Sequence, residues 1–191
     1  MEPKENKRRM STGKKFGLGC LGLIVLIIII SIASNSGKND TRKVGDSPTA
    51  STTSTSNDNK IYKVGDSVQL GKAIVTVNKV ESSTGSTYTK PASGNKWINL
   101  NITVENTDSS QQYLTTMGQM FVKDSDGNSF QVAVTDKVME SVNNSLDGTI
   151  IAKSKRTGWV GFEVKNESKG LQFQYNASMW GSGTITVDLG Q

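Results

Sequence analysis

The sequence predicts an all-β domain folded as a two-sheet β-sandwich, preceded by one N-terminal transmembrane helix and a disordered linker. Three observations predict it. From Ile61 onward, apolar and polar residues alternate with period two in one run after another. Seven or so such runs, separated by Gly, Asn, Asp and Ser clusters, fill residues 61–191, which suits a sandwich. Upstream, residues 16–37 carry no charge at all.

Residues 1–15 read as a cytoplasmic tail. Lys4, Lys7, Arg8, Arg9, Lys14 and Lys15 face only Glu2 and Glu5 there, and positive charge stays on the cytoplasmic side of a span. Residues 16–37 then read as a transmembrane helix. At 1.5 Å per residue they reach about 33 Å, enough for a hydrocarbon core of about 30 Å. Leu21, Leu23, Ile24, Val25, Leu26 and Ile27 to Ile30 leave no polar face, so such a helix belongs in lipid.

Two other readings of that run compete. Ser31-Ile32-Ala33 fits the small-x-small rule for signal peptidase, which would make the run a signal peptide and the product a secreted protein. The apolar stretch is long for a signal core, and the uncleaved anchor is the preferred reading. Cys20, the only cysteine, precedes the apolar residues instead of closing them, so a lipoprotein signal is disfavoured. Gly17 and Gly19 are each followed four residues later by leucine, so no tight Gly-xxx-Gly helix dimer is indicated.

Residues 38–60 read as a disordered Ser/Thr-rich linker. Val44 is their one branched apolar residue, too little to offset the entropy of ordering. As a flexible coil the stretch from 34 to 60 would hold a domain about 30 Å off the membrane. The pentapeptide KVGDS occurs at Lys43–Ser47 and again at Lys63–Ser67. Two copies fall short of a repeat architecture and read as chance or a local duplication.

Residues 61–191 carry the strands. Ile98, Leu100, Ile102 and Val104 alternate with Trp97, Asn99, Asn101 and Thr103. Val160, Phe162 and Val164 alternate with Trp159, Gly161 and Glu163, and Leu171, Phe173 and Tyr175 with Gln172 and Gln174. Ile185, Val187 and Leu189 form a last run, and AIVTVNKV an early one. QMFVKDSDGNSFQV predicts a hairpin turning at Asp126-Gly127. Only TDKVMESVNNSL offers a weak helical or 3₁₀ stretch.

Composition bounds the chemistry. The chain has 191 residues, no histidine and a formal charge of +5. Residues 1–33 hold six basic and two acidic side chains; taking these from 22 and 17 leaves 16 and 15, so the outer part is nearly neutral. Lys153, Lys155 and Arg156 are its one dense basic group, a solvated strand end, and nucleic acid is not an expected partner. Beyond Cys20 there is no cysteine, so no disulfide can form within the outer part. The common nucleophile–base pairs and thiolate metal sites are absent, and neither an enzyme nor a cofactor is expected.

Two apparent motifs are weighed down. Ser93-x-x-Lys96, Ser141-x-Asn143 and Arg156-Thr157-Gly158 follow the order seen in penicillin-recognising serine enzymes. Ser93, however, sits in a Gly/Pro/Ser loop instead of opening a helix that would place the lysine one turn on. Asp124, Asp126 and Asn128 hint at a weak calcium loop. An EF-hand register would put Val122 and Ala133 where carboxylates are required, so a hairpin turn is preferred.

Trp97 and Trp159 fall in the polar register of their strands, and Trp180 lies in the Gly/Ser loop SMWGSG. Together they are candidate partner-binding aromatics, suited to stacking on a sugar or gripping a protein. The alternative is that a strand end or crossing loop covers them, as large aromatics are mostly buried.

In order, YKVGDSVQLGKAIVTVNKVES, KWINLNITVEN, FVKDSDGNSF and TGWVGFEVKN resemble a telokin-like extracellular domain family of unknown function. That family occurs on surface lipoproteins and anchored proteins of Gram-positive bacteria. The resemblance covers about residues 61–191 and implies an immunoglobulin-like β-sandwich. The family usually has a Pro-Gly turn before the GWVGFEV strand, where this chain has AKSKRTG, and a lipid-anchor cysteine where this chain has a plain apolar span. It has no agreed catalytic residues, so none transfer. The expected role is a membrane-anchored extracellular binding module whose partner is an envelope protein or cell-wall glycan. A secreted form cleaved near Ala33 and an accessory sensor subunit are the alternatives.

Overall fold

The computed structural model describes residues 41–45, 60–177 and 183–191, all within the compact unit Lys38–Gln191. The apolar run at 16–37, the Ser31-Ile32-Ala33 motif, most of the linker and Trp180 lie outside the described residues. Among the described residues no helix is long and apolar enough to cross a membrane.

The described chain is a β-sandwich. Its strands are β1 (Arg42–Lys43), β2 (Ile61–Lys63), β3 (Ser67–Leu70), β4 (Ala73–Ser83), β5 (Asn95–Asn106) and β6 (Gln112–Leu114). After these come β7 (Met120–Lys123), β8 (Ser129–Ala133), β9 (Gly148–Ile150), β10 (Lys155–Lys165), β11 (Gln172–Asn176) and β12 (Thr184–Asp188). Between β8 and β9 lie a short helix α1 (Asp136–Glu140) and a 3₁₀ turn (Val142–Asn144), in the stretch the sequence marks as weakly helical.

One layer runs β1-β3-β4-β5-β10 and the other β7-β11-β12-β2; β8 joins them. It pairs with β7 from Phe121↔Gln131 to Lys123↔Ser129, and with β10 only at Gly161↔Ala133 and Phe162↔Val132. Every pairing is antiparallel except β12 with β2. β6 and β9 form a separate two-stranded ladder.

The alternation read from sequence sets which face is inside. Ile98, Leu100, Ile102 and Val104 of β5 and Val160, Phe162 and Val164 of β10 are buried against Leu171, Phe173, Tyr175, Ile185 and Val187 of the opposite layer. Phe162 meets Phe173 edge-to-face between the layers, with centroids 6.5 Å apart and an interplanar angle of 67°. β4, β5 and β10, at 11, 12 and 11 residues, are longer than the short strands expected. Along β4 the register against β5 shifts by one residue at a bulge between Val77 and Lys79. There Asn78 donates to Asn101 Oδ1 and Thr103 Oγ1 on the outer face.

The expected hairpin is present. Asp124 accepts from the backbone of Asp126 and Asn128, and Gly127 turns at φ +86°. Within the stretch 38–60 read as a linker, residues 42–43 form β1 on the edge of β3. Edge pairing uses main-chain groups, so a segment without apolar side chains can still add a strand.

Candidate functional site

The outer face of the β4–β5–β10 layer holds the predicted tryptophans. Trp97 stands opposite Glu163, and Trp159 stands opposite Asn101. Four residues of register separate the two rings, about 13 Å along the strands. They share a face but are not brought together, because the segment entering α1 crosses between them.

Trp97 is only 4% exposed. Glu163 fixes it: one carboxylate oxygen accepts from Asn95 Nδ2 (2.7 Å) and the Ala92 amide (2.9 Å), and the other from the Trp97 indole (3.3 Å). These donors, Asn95 first, hold the Glu163 carboxyl below its ordinary value of 4.5. Trp97 thus takes the covered alternative, with the loop before β5 as its cover.

α1 is pinned over the centre of the same face. Thr135 caps it, its hydroxyl accepting from the Val138 amide at 3.4 Å and donating to Asn99 Oδ1 at 2.5 Å. Asn99 donates to Asp136, and Ser83 donates to the other Asp136 oxygen at 2.6 Å. Gly161 makes the approach possible, since a Cβ there would meet Thr135. From α1, the Lys137 ammonium reaches over the Trp159 ring, 5.9 Å from its centroid.

Beside Trp159 the surface opens into an apolar groove of about 450 Å³. It forms where β8 leaves β10 to join the other layer. Trp159 and Val160 come from β10, Val132 to Val134 from the end of β8, and Val138 and Val142 from α1 and the 3₁₀ turn. β6 and the β6–β7 connection close it with Tyr113 and Met117, respectively. Met117 (74%), Val134 (73%) and Val142 (69%) are largely exposed around this groove. At its rim Asp147 accepts from the Thr116 amide and hydroxyl, which fixes the β6–β7 connection. Gly158 admits the other wall, because a Cβ there would lie 2.7 Å from Asn144 O and 2.9 Å from Leu146 N.

Sequence reasoning pointed to Trp159 but missed Met117, Val134 and Val142. The available signal was the spacing of Val138 and Val142 in the weakly helical stretch, an apolar pair four residues apart.

The other motifs stay apart from this groove. Ser93 lies in the turn before β5 and Lys96 within that strand, so no helix places one a turn from the other. Asp124 is occupied by Asn128 Nδ2 (2.8 Å) and Ser168 Oγ (2.9 Å), which, with Asn128 first, lower its pKa. Among the described residues no group of three or more His, Cys, Asp or Glu side chains converges on one point.

A family model described as a domain of unknown function (DUF4352) matches residues 62–185. Among solved structures, the yjhA protein from Bacillus subtilis is similar at 18% identity, over 68% of this chain and 99% of that one, with a TM-score of 0.57. At that identity the likeness is one of fold. The ycdA protein from Bacillus subtilis, a candidate lipoprotein, is 23% identical over 62% of this chain and 37% of that one, at a TM-score of 0.46. The secreted protein MPT63 from Mycobacterium tuberculosis is 19% identical over 65% of this chain and 84% of that one, at a TM-score of 0.44. No match is found among the curated proteins.

Proposed function

The chain belongs to this family of domains of unknown function, and from that premise we propose that it is a non-catalytic binding module held at the bacterial cell envelope. Its groove beside Trp159 takes an apolar segment of an envelope protein. The observation that carries this reading is the set of exposed apolar side chains, Met117, Val134 and Val142, around a half-buried tryptophan. A wall glycan would call for free hydrogen-bonding groups beside an open ring face, whereas the exposed lining of this groove is mainly apolar and its Thr116, Ser141, Ser145 and Asp147 side chains are bonded within the protein. Lys137 already occupies space over Trp159.

The address rests on the apolar run at 16–37 behind six basic residues, which supports a single span with the β-domain outside. Ser31-Ile32-Ala33 favours the secreted form as second reading. Mass spectrometry of the mature N-terminus separates the two, since cleavage after Ala33 leaves Ser34 first. Within the same reading the sandwich is immunoglobulin-like. Support comes from the route of the chain, which leaves β5 for β7 and β8 of the other layer and returns in β10 beside β5.

Co-purification from detergent-solubilised membranes tests the role. The native chain is expected to retain an envelope protein that chains with Met117→Asp and Val142→Asp lose. Equal recovery by native and substituted chains, or recovery of glycan alone, overturns the reading.

A further inference from the structure

The repeated pentapeptide has a structural meaning that the groove does not use. Both copies carry the same left-handed glycine, Gly45 at φ +105° and Gly65 at φ +91°. The second copy leads out of β2 into β3. The first copy begins at Lys43, the last residue of β1, and β1 lies on the outer edge of that same β3, pairing Arg42↔Gln69 and Lys43↔Val68. β1 ends the strand order on that side, so without it β3 would be an edge strand with open main-chain groups.

The seat is chemically specific but small. The Val44 amide donates to Ser67 O at 2.7 Å. Arg42 donates twice to Gln69 Oε1, at 3.0 and 2.7 Å. Lys43 of the first copy meets Asp66 of the second at 2.6 Å, and Tyr62 donates to Thr41 Oγ1 at 3.0 Å. Against these contacts stand only two ladder pairs, on a strand whose two residues are exposed. Val64 of the second copy packs against the core, whereas Val44 of the first remains 45% exposed. Nothing apolar therefore locks the segment down.

We propose that the outer edge of β3 is an acceptor for strand exchange between two copies of this chain, each seating its residues 41–45 on the other. The bonds within one chain and between two chains are the same, so the balance is set by concentration. The length of chain between the segment and the domain permits the exchange. Residues 46–59 separate Gly45 from Lys60, and fourteen residues reach up to about 50 Å when extended. The polar pattern fits a like copy: Lys43 is opposite in charge to Asp66 and Arg42 donates to the Gln69 amide oxygen, and every copy carries both partners. Exchange does not depend on what the groove binds.

The test uses the full chain with Cys20→Ser, so that introduced cysteines are the only ones. One chain carries Arg42→Cys and a second, longer-tagged chain carries Gln69→Cys; a short bismaleimide is added to the mixture. The expected result is a mixed cross-linked dimer that increases with total concentration. Val44→Pro in the donor removes the amide donated to Ser67 and is expected to lower the yield about fivefold. A chain carrying both cysteines is expected to cross-link within itself at high dilution. The proposal is overturned by three results: no mixed dimer up to about 1 mM, a mixed dimer indifferent to Val44→Pro, or no internal cross-link in the doubly substituted chain.

Discussion

Thr135 lies directly over Gly161. A Cβ on Gly161 would come within 2.3 Å of Thr135 Cγ2 and 2.5 Å of its hydroxyl. The bare strand lets the N-terminal cap of α1 touch the sheet, and the hydroxyl at the contact is bound to buried Asn99. Gly161→Ala is expected to destabilise the domain by about 1–3 kcal/mol through overpacking. Thr135→Ala is expected to cost about 1–3 kcal/mol, through the lost cap and an unpaired Asn99 oxygen. Because the two residues touch, their effects are expected not to add. Urea unfolding of both single variants and the double variant measures the coupling.

The Glu163 cluster predicts an acid-sensitive fold. Donors from Asn95, Ala92 and Trp97 favour the Glu163 carboxylate, and Asn128 and Ser168 favour that of Asp124, so both pKa values are depressed on folding. Depressed carboxyls contribute stability that is present above their unfolded values, 4.5 and 3.8, and is lost as pH falls through the folded ones. The chain has no histidine to titrate above them. The melting temperature is therefore expected to be flat from about pH 5 to 8 and to fall progressively below about pH 4.5. Glu163→Gln is expected to lower the plateau and flatten the acid limb. A melting curve with a step near pH 6.5, or an acid limb unchanged in Glu163→Gln, contradicts this.

Lys153 is the one described residue other than glycine with positive φ, at +56°. It turns the chain from β9 into β10, in the stretch AKSKRTG. Left-handed backbone costs a side-chain-bearing residue about 1–2 kcal/mol. The Lys153 ammonium offsets part of this by donating to Thr107 O at 2.5 Å, an exposed contact. Lys153→Gly is expected to raise stability by about 1 kcal/mol. Lys153→Ala keeps the backbone cost and loses the contact, and is expected to lower it. Thermal melts of the pair decide between backbone and side chain as the governing factor.

The long strands were legible because one face of each is buried by residues two apart, which leaves a period in the sequence. That period shows β5 and β10 plainly, and Gly127 marks the hairpin. It says nothing about what lies on the outer face. Trp97 is in a polar register yet buried, its indole bonded to Glu163, 66 residues away in sequence. β1 was hidden for another reason: it adds through main-chain bonds and charge, neither of which has a hydrophobic signature. The groove was invisible because it depends on β8 pairing with β10 through only two residues and then departing. A departure of that kind is a tertiary event, with no local residue pattern.

Trp159 makes the groove open to direct measurement. With Trp97→Phe and Trp180→Phe, it becomes the only tryptophan, and its emission reports the groove wall. The ring is half-buried and its neighbours Met117 and Val142 are exposed, so iodide is expected to quench it in the free chain. An apolar peptide seated in the groove is expected to shift the emission to the blue and reduce that quenching. Val142→Asp and Met117→Asp change exposed positions and are expected to leave stability within about 0.5 kcal/mol. The same changes put a charge against the bound segment and are expected to weaken binding at least about tenfold. A loss of stability that parallels the loss of binding would assign these side chains to the fold instead. Iodide quenching that is unaltered by every apolar peptide would remove the groove as the binding site.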